Sequence, residues 1–302
     1  YICFDEVSST SDSISKMSFV YVDALTHKIQ NILQGRTNKI IKDYFLYYSY
    51  QERCKVKAVV IDMNSGYKSI IRELFPNAKI VIDRFHIVQL VNRAFNKYRV
   101  SFMNSIKDKN KELYRQLKCY WKNLLTSYNE LDNGTHKKFK YFKYITTEQD
   151  IVNYLIKQDS QLYKCYWLIQ DLREALEKDD FDSFKALIND KSTLPRYMFT
   201  AIKTLRKYKR QIKNTMYYNG LSNGPLEGIN NKIKVIKRIS YGYKSFSNFK
   251  AKILLIFSLF TPSETNKKPR YSKEERQAVL AKKKEIRLKR KNRKKAILLN
   301  IA

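Results

Sequence analysis

Short apolar runs that end on an acid constrain this chain more than any other feature. Ala58-Val59-Val60-Ile61 leads into Asp62, Ile80-Val81-Ile82 into Asp83, and Tyr1-Ile2-Cys3-Phe4 into Asp5 and Glu6. Brief β-branched runs of this kind are expected of buried parallel strands. A carboxylate that ends such a strand stands at the edge of the sheet, where a hard divalent cation can reach it. A third acid, Glu227, lies in Ser222-Asn223-Gly224-Pro225-Leu226-Glu227-Gly228-Ile229-Asn230-Asn231. There Asn223 or Gly224 can cap a helix and Pro225 suits its first turn. Any one of these acids alone is a weak signal, because an aspartate after a strand is more often a turn former or a helix cap.

The pattern along the chain gives the fold class, α/β. Residues 1–4, 17–22 and 28–33 are predicted to form three strands in an antiparallel meander. Residues 37–48 carry Ile40, Ile41, Tyr44, Phe45 and Tyr48 at helical spacing. A strand over 56–61, an amphipathic helix over 67–75 broken by Pro76-Asn77, and a strand over 78–82 follow. The order β-β-β-α-β-α-β is that of a ribonuclease H-like fold. Asp5 would end the first strand and Asp62 the strand beside it, while alternation turns Glu6 to the other face.

From about residue 86 to 216 the texture changes to Lys, Tyr, Leu and Phe at helical periods, with Pro195 the one proline. An all-helical segment is predicted, with Trp121 and Trp167 packed in its core. In the helix of Glu227, Leu226, Ile229, Ile233 and Ile236 form one apolar stripe. Glu227, Asn230, Asn231, Lys234 and Arg238 are predicted to face outward. Beyond Pro262, residues 267–295 hold fifteen basic and three acidic residues, a solvated basic tail or a nucleic-acid arm.

Composition narrows the partners. Lys and Arg number 60 against 28 Asp and Glu, a net charge of +32, while hydrophobic residues make up 43%. Such a chain folds, and its surplus charge implies a polyanionic partner, since neutralised phosphates release condensed counterions. Cys3, Cys54, Cys119 and Cys165 have no CxxC or CxxH spacing, which argues against a zinc site or a disulfide framework. The most apolar run, 253–260, is too short to span a bilayer. His27 and His136 are expected at the surface. The chain opens at Tyr1 in what looks like mid-strand, so an N-terminal part is expected to be missing.

The segments Val59-Val60-Ile61-Asp62-Met63, Phe75-Pro76-Asn77-Ala78-Lys79-Ile80-Val81-Ile82-Asp83-Arg84-Phe85-His86 and Ser222–Lys234 resemble the bacterial insertion-sequence transposases of the ISL-three family, in the DDE class. Tyr241-Gly242-Tyr243 and Phe246-Ser247-Asn248-Phe249 fit the same likeness, which covers about residues 1 to 260. The resemblance implies a ribonuclease H-like core over 1–99 and 216–262, interrupted by an all-helical insertion over 100–215, with a basic tail over 263–302. It implies that Asp5, Asp62 and Glu227 form the catalytic triad and bind two Mg²⁺ ions, which Mn²⁺ can replace. Hydrolysis at a transposon end would then free a 3′-hydroxyl to attack target DNA. Lys234 and Arg238 would hold DNA phosphates, and Asn230 and Asn231 would bond backbone or bases. Asp83 and His86 resemble a supporting Asp-x-x-His motif, although Asp83 also ends an apolar strand and competes with Asp62 as second acid. A homodimer on DNA and a cytoplasmic, nucleoid-associated protein without membrane contact are implied. The cysteine-rich module and helix-turn-helix of such proteins are absent from these residues. A structure-specific nuclease and a non-catalytic DNA-binding remnant remain the alternatives.

Overall fold

In the computed structural model residues 1–13, 15–63, 66–190 and 192–259 are described. The basic tail lies outside them. Alternation in β1 (Ile2–Ser8) organises the sheet: Phe4 and Glu6 point to one face, Cys3 and Asp5 to the other. β2 (Met17–Asp23) and β3 (Ile29–Leu33) complete the antiparallel meander. Thr37 caps α1 (Asn38–Leu46), Ser49 caps α2 (Tyr50–Cys54), and β4 (Ala58–Ile61) then pairs parallel to β1. α3 (Lys68–Leu74) leads to β5 (Lys79–Ile82), parallel to β4. The sheet order is β3-β2-β1-β4-β5. β1 is longer than its apolar run suggests. Its ladder with β2 continues from Ile2↔Asp23 to Ser8↔Met17, so Asp5 sits within the strand and not at its end.

The Phe4 face carries the aromatic core. The Phe4 ring meets Phe19 at 4.8 Å, Phe45 of α1 at 5.8 Å and Tyr67 at 6.1 Å, all fully or nearly buried. Glu6, on this face, is held by Arg36 and by the Tyr67 hydroxyl at 2.7 Å. The Cys3–Asp5 face is left for later parts of the chain.

Those parts begin with α4 (Arg84–Ser105), which starts directly after β5. α5 (Lys111–Cys119) and α6 (Trp121–Leu125) follow. A two-stranded ribbon of β6 (Lys137–Lys138) and β7 (Ile145–Thr146) comes next, so the stretch is not all helical. The ribbon has a physical cause. Phe142 is buried against Tyr120, Gln116 donates to the Tyr141 carbonyl (2.7 Å) and Tyr120 to the Lys140 carbonyl (2.8 Å). Side chains thus satisfy backbone groups that a helix would otherwise pair. α7 (Glu148–Ile156), α8 (Ser160–Glu177), α9 (Phe181–Asn189), α10 (Arg196–Lys207) and α11 (Lys209–Tyr217) complete the array. Trp167 packs against Tyr128 and Tyr166 as expected, whereas Trp121 stays 40% exposed at the first position of α6.

Buried arginines join the helices end to side. Arg99 donates to the Leu117 carbonyl at 2.7 Å, and Arg173 to the Leu125 carbonyl at 2.6 Å. Both acceptors lie in last turns, where carbonyls lack helical partners. α11 closes the open edge of β5. The Thr215 hydroxyl donates to the Ile82 carbonyl (2.7 Å) and accepts its N–H (3.0 Å), and Asn214 donates to the Ile80 carbonyl (2.9 Å). α12 (Gly224–Ile239) and α13 (Phe246–Leu259) follow. Residues 1–254 form one compact unit; 255–302 form another, of which the end of α13 is described. Among the described residues no helix is long and apolar enough to cross a membrane.

Because Thr215 replaces a neighbouring strand, Thr215→Val should destabilise the protein by about 1–3 kcal/mol through two unpaired buried backbone groups. Urea unfolding monitored by circular dichroism measures the loss, and an unchanged midpoint would contradict the edge-closing role.

Candidate active site

Parallel register sets three carboxylates in one row. Cys3 lies opposite Val60, and Val60 opposite Val81. Two residues further along each chain are Asp5, Asp62 and Asp83, on three adjacent segments. Strands in such a sheet are about 4.8 Å apart, so the acids are neighbours across the Cys3–Asp5 face. They are not equivalent. Asp83 stands at the N-cap position of α4 and is 4% exposed, whereas the Asp62 side chain keeps 35% of its surface. Asp5 is half-buried.

α12 is laid across this row by its polar side chains. Asn223, its N-cap, donates Nδ2 to the Phe4 carbonyl (3.4 Å) and to Asp62 Oδ1 (3.3 Å). Asn230 donates Nδ2 to Asp5 Oδ2 at 2.6 Å. Lys237 reaches the Ser8 carbonyl (3.1 Å) and the Ser9 carbonyl (2.7 Å). These three residues are seven apart, two helical turns, and so form one seam. Leu226, Ile229, Ile233 and Ile236 are buried beside it, as the apolar spacing predicts.

Glu227 lies four residues after Asn223 and three before Asn230, on the flank of that seam and between the two aspartate contacts. Its side chain is exposed. Among the described residues no three His, Cys, Asp or Glu side chains come together closely enough to hold a metal ion. The structure pairs Asp62 with His86 and Asn223, and Asp5 with Asn230, on neighbouring segments of the row that ends at Asp83. Glu227 lies on the flank of α12 beside the seam. Asn231, Lys234 and Arg238 are exposed on the Glu227 side of α12. Asn230 differs from its expected outward orientation: it is 7% exposed, because its amide is taken up by Asp5. Asn223 and Lys237 were not singled out as site residues from the sequence. Their seven-residue spacing from Asn230 was the available signal.

His86, one turn into α4, places Nε2 2.8 Å from Asp62 Oδ1. That bond raises its pKa above the ordinary imidazole value. Burial raises Asp83, against the pull of His86 and of the nearby Phe85 N–H. Burial likewise pushes Asp5 up to about 6, with the Asp62 charge adding to the effect. The Glu6 N–H, 2.8 Å from Asp5 Oδ1, and the Asn230 amide work in the other direction. Paired, desolvated carboxylates call for a cation. The Oδ1 atoms of Asn223 and Asn230 are also buried without a hydrogen-bond partner. This all-oxygen donor set suits a hard divalent ion.

Comparison with known proteins gives the family. A family model described as a transposase, of the DDE type named for ISL3, matches residues 2–253. The chain belongs to the ISL3 family of DDE transposases. The matched span includes every acid of the row, the whole of α12 and the Tyr241–Tyr243 turn. The transposase for insertion sequence element IS1001 of Bordetella parapertussis is 25% identical over 263 residues, 85% of this chain and 61% of that protein. A Lactococcus lactis protein named as an ATP-dependent protease is 39% identical over 150 residues, 46% of this chain and 48% of that one. The chain thus spans about half to three-fifths of the length of these relatives. No solved structure matches it.

The raised Asp5 pKa has a stability consequence in the metal-free protein. Folding lifts this carboxyl from 3.8 to about 6, so the folded state binds the extra proton between those values. The ionised group therefore opposes folding above pH 6, and the penalty is relieved as pH falls toward 4. Asp5→Asn should stabilise the metal-free protein by about 1–2 kcal/mol at pH 7.5 and give little gain at pH 4. Urea unfolding at both pH values checks this; destabilisation at pH 7.5 would contradict it.

Proposed function

We propose that this chain is the catalytic portion of a transposase that cuts DNA at transposon ends and joins the freed end to target DNA. The observation that supports the reading is the register of Asp5 with Asp62 beneath α12, the helix that also carries Glu227. In this reading the sheet with its flanking helices is a ribonuclease H-like core over 1–99 and 216–262, and residues 100–215 are an insertion. DNA is the partner, in keeping with the net charge of +32. Two protomers are proposed to hold two DNA ends, in the cytoplasm at the nucleoid.

Asp5, Asp62 and Glu227 are proposed to hold two Mg²⁺ ions, or Mn²⁺ in their place. Bound there, the metal supplies Lewis acidity to a phosphodiester and lowers the pKa of an attacking water or 3′-hydroxyl. The protein groups do the rest. Asn230 and the Glu6 N–H orient Asp5, and Asn223 with His86 orients Asp62. Asp83 is buried at the N-cap position of α4, and its carbonyl accepts the His86 N–H (3.1 Å) at the start of the helix that carries His86. His86 in turn fixes the orientation of Asp62, and no proton transfer by it is required. Lys234 and Arg238 are proposed to bind backbone phosphates along α12, with Asn231 free to bond backbone or bases. Asn230 retains a place in DNA binding only through Asp5.

Strand cleavage and strand transfer on DNA carrying the element's ends test this reading, using the full reading frame with Mg²⁺. Asp5→Asn, Asp62→Asn and Glu227→Gln should each lose about 10²- to 10³-fold in rate, the order set by losing one transition-state charge contact. Asp83→Asn should fold and keep measurable activity. Cleavage without joining would identify a nuclease, and tight DNA binding without cleavage a non-catalytic remnant.

A further inference from the structure

The turn after α12 holds a residue whose place in the fold is unexplained by folding. α12 ends in a complete Schellman arrangement: the Gly242 N–H bonds to the Lys237 carbonyl (2.9 Å) and the Tyr241 N–H to the Arg238 carbonyl (3.1 Å). The residue at the left-handed position of this motif is ordinarily glycine. Here it is Tyr241, at φ 51°, where a β-carbon is crowded against the following carbonyl. Its side chain is wholly exposed. Among the described residues no hydrogen bond, ion pair or ring contact of this side chain is found. The other strained positions include Tyr141, whose carbonyl is bonded by Gln116, and Asp179, which binds Arg84 and Asn219. His27 (φ 58°) also carries an exposed ring, on the turn between β2 and β3; among the described residues Tyr241 is the strained position with an exposed ring that adjoins α12.

The turn is nevertheless held firmly. The Tyr243 hydroxyl bonds to Ser240 (2.9 Å), the Tyr243 ring packs on Phe249 at 5.5 Å, and the Phe246 N–H donates to Asp12 at 2.9 Å. Lys237 anchors the same turn of α12 to Ser8 and Ser9. Ile239 and Lys244, two and three residues away in sequence, are exposed as well. A rigid mount that carries strain and an unpartnered aromatic points outward, to a ligand with a flat face.

We propose that Tyr241 stacks on a nucleobase of the DNA bound along α12, opened from its duplex stack. The inference rests on the transposase reading and adds a contact to it. Lys234 and Arg238 lie within about 20° of Glu227 around the helix, and Asn231 within about 40°, so backbone contacts lead from the acid toward Tyr241. Fourteen residues separate Glu227 from Tyr241, about 21 Å along the axis, or about six base-pair steps. Base–aromatic stacking tolerates any sequence and gives register without hydrogen-bond readout.

The test is a scan of 2-aminopurine along one strand of end DNA, with the full chain in Ca²⁺ and cleavage followed separately in Mg²⁺. Wild type should raise the fluorescence severalfold at a single position about six steps from the cleaved phosphate. Tyr241→Gly should lose that signal and bind DNA about 5- to 100-fold more weakly. It should also unfold about 2 °C higher, because glycine suits the turn, which rules out misfolding as the cause. Tyr241→Trp should keep binding close to wild type. Equal binding and an unchanged fluorescence profile in Tyr241→Gly, with wild type active, would overturn the stacking role alone. A wild type that binds this DNA but never cuts it would overturn the underlying reading, and the inference with it.

Discussion

The seam between α12 and β1 is the interaction on which the rest of the site depends. Asn223, Asn230 and Lys237 pin the helix along the strand at three points, each two turns from the next. Helix and strand come from opposite ends of the unit, more than 200 residues apart. Neither carries a usable site alone. Asp5 without α12 is one carboxylate in a sheet, and Glu227 without β1 is one acid on a solvated helix. The apolar stripe of α12 supplies adhesion, but greasy contacts tolerate sliding and rotation. The polar seam fixes register, since a shift of one residue would leave buried amides and carboxylates unpaired.

That seam is also where the fold is least comfortable. Two carboxylates share a desolvated row, and burial holds Asp5 well above its ordinary range. Two buried amide oxygens lack partners. These penalties sit beside a well-packed aromatic face on the other side of the same sheet, which stabilises the strands that carry the acids. Polar strain confined to one face, opposite a dense core, is the pattern expected of a site waiting for a charged ligand. The helical array contributes by bracing: α11 closes the β5 edge through Thr215, and Asp179 ties Arg84, next to Asp83, to Asn219, just before α12.

Much of this was legible in the sequence, and the failures have physical reasons. The strands themselves were legible as short apolar runs, because sheet periodicity is local; the pairing of the Asp5 and Asp62 segments was expected from the β-β-β-α-β-α-β order and its likeness to a known fold. The length of β1 was not, since Glu6 and Ser8 look like loop residues until β2 supplies a partner ladder. The β6–β7 ribbon escaped notice because its residues are basic and aromatic like the helices around it. What stabilises it is long-range: hydrogen bonds from Gln116 and Tyr120. Asn230 was expected to face outward because it lies off the apolar stripe. Only the tertiary contact with Asp5 reveals a polar residue bound for burial. Its seven-residue spacing to Asn223 and Lys237 was visible, but nothing local marks such a spacing as a seam.

The most direct measurement of the central claim is iron-mediated backbone cleavage of the protein itself. Fe²⁺ in place of Mg²⁺, with ascorbate, generates radicals that cut the chain only where it approaches the bound ion. The expected result is three cuts, near Asp5, near Asp62 and in α12 near Glu227, all suppressed by excess Mg²⁺ and lost together in Asp62→Asn. Cuts centred on Asp83 without one in α12, or a pattern that Mg²⁺ does not suppress, would contradict the convergence of these three acids on one metal site.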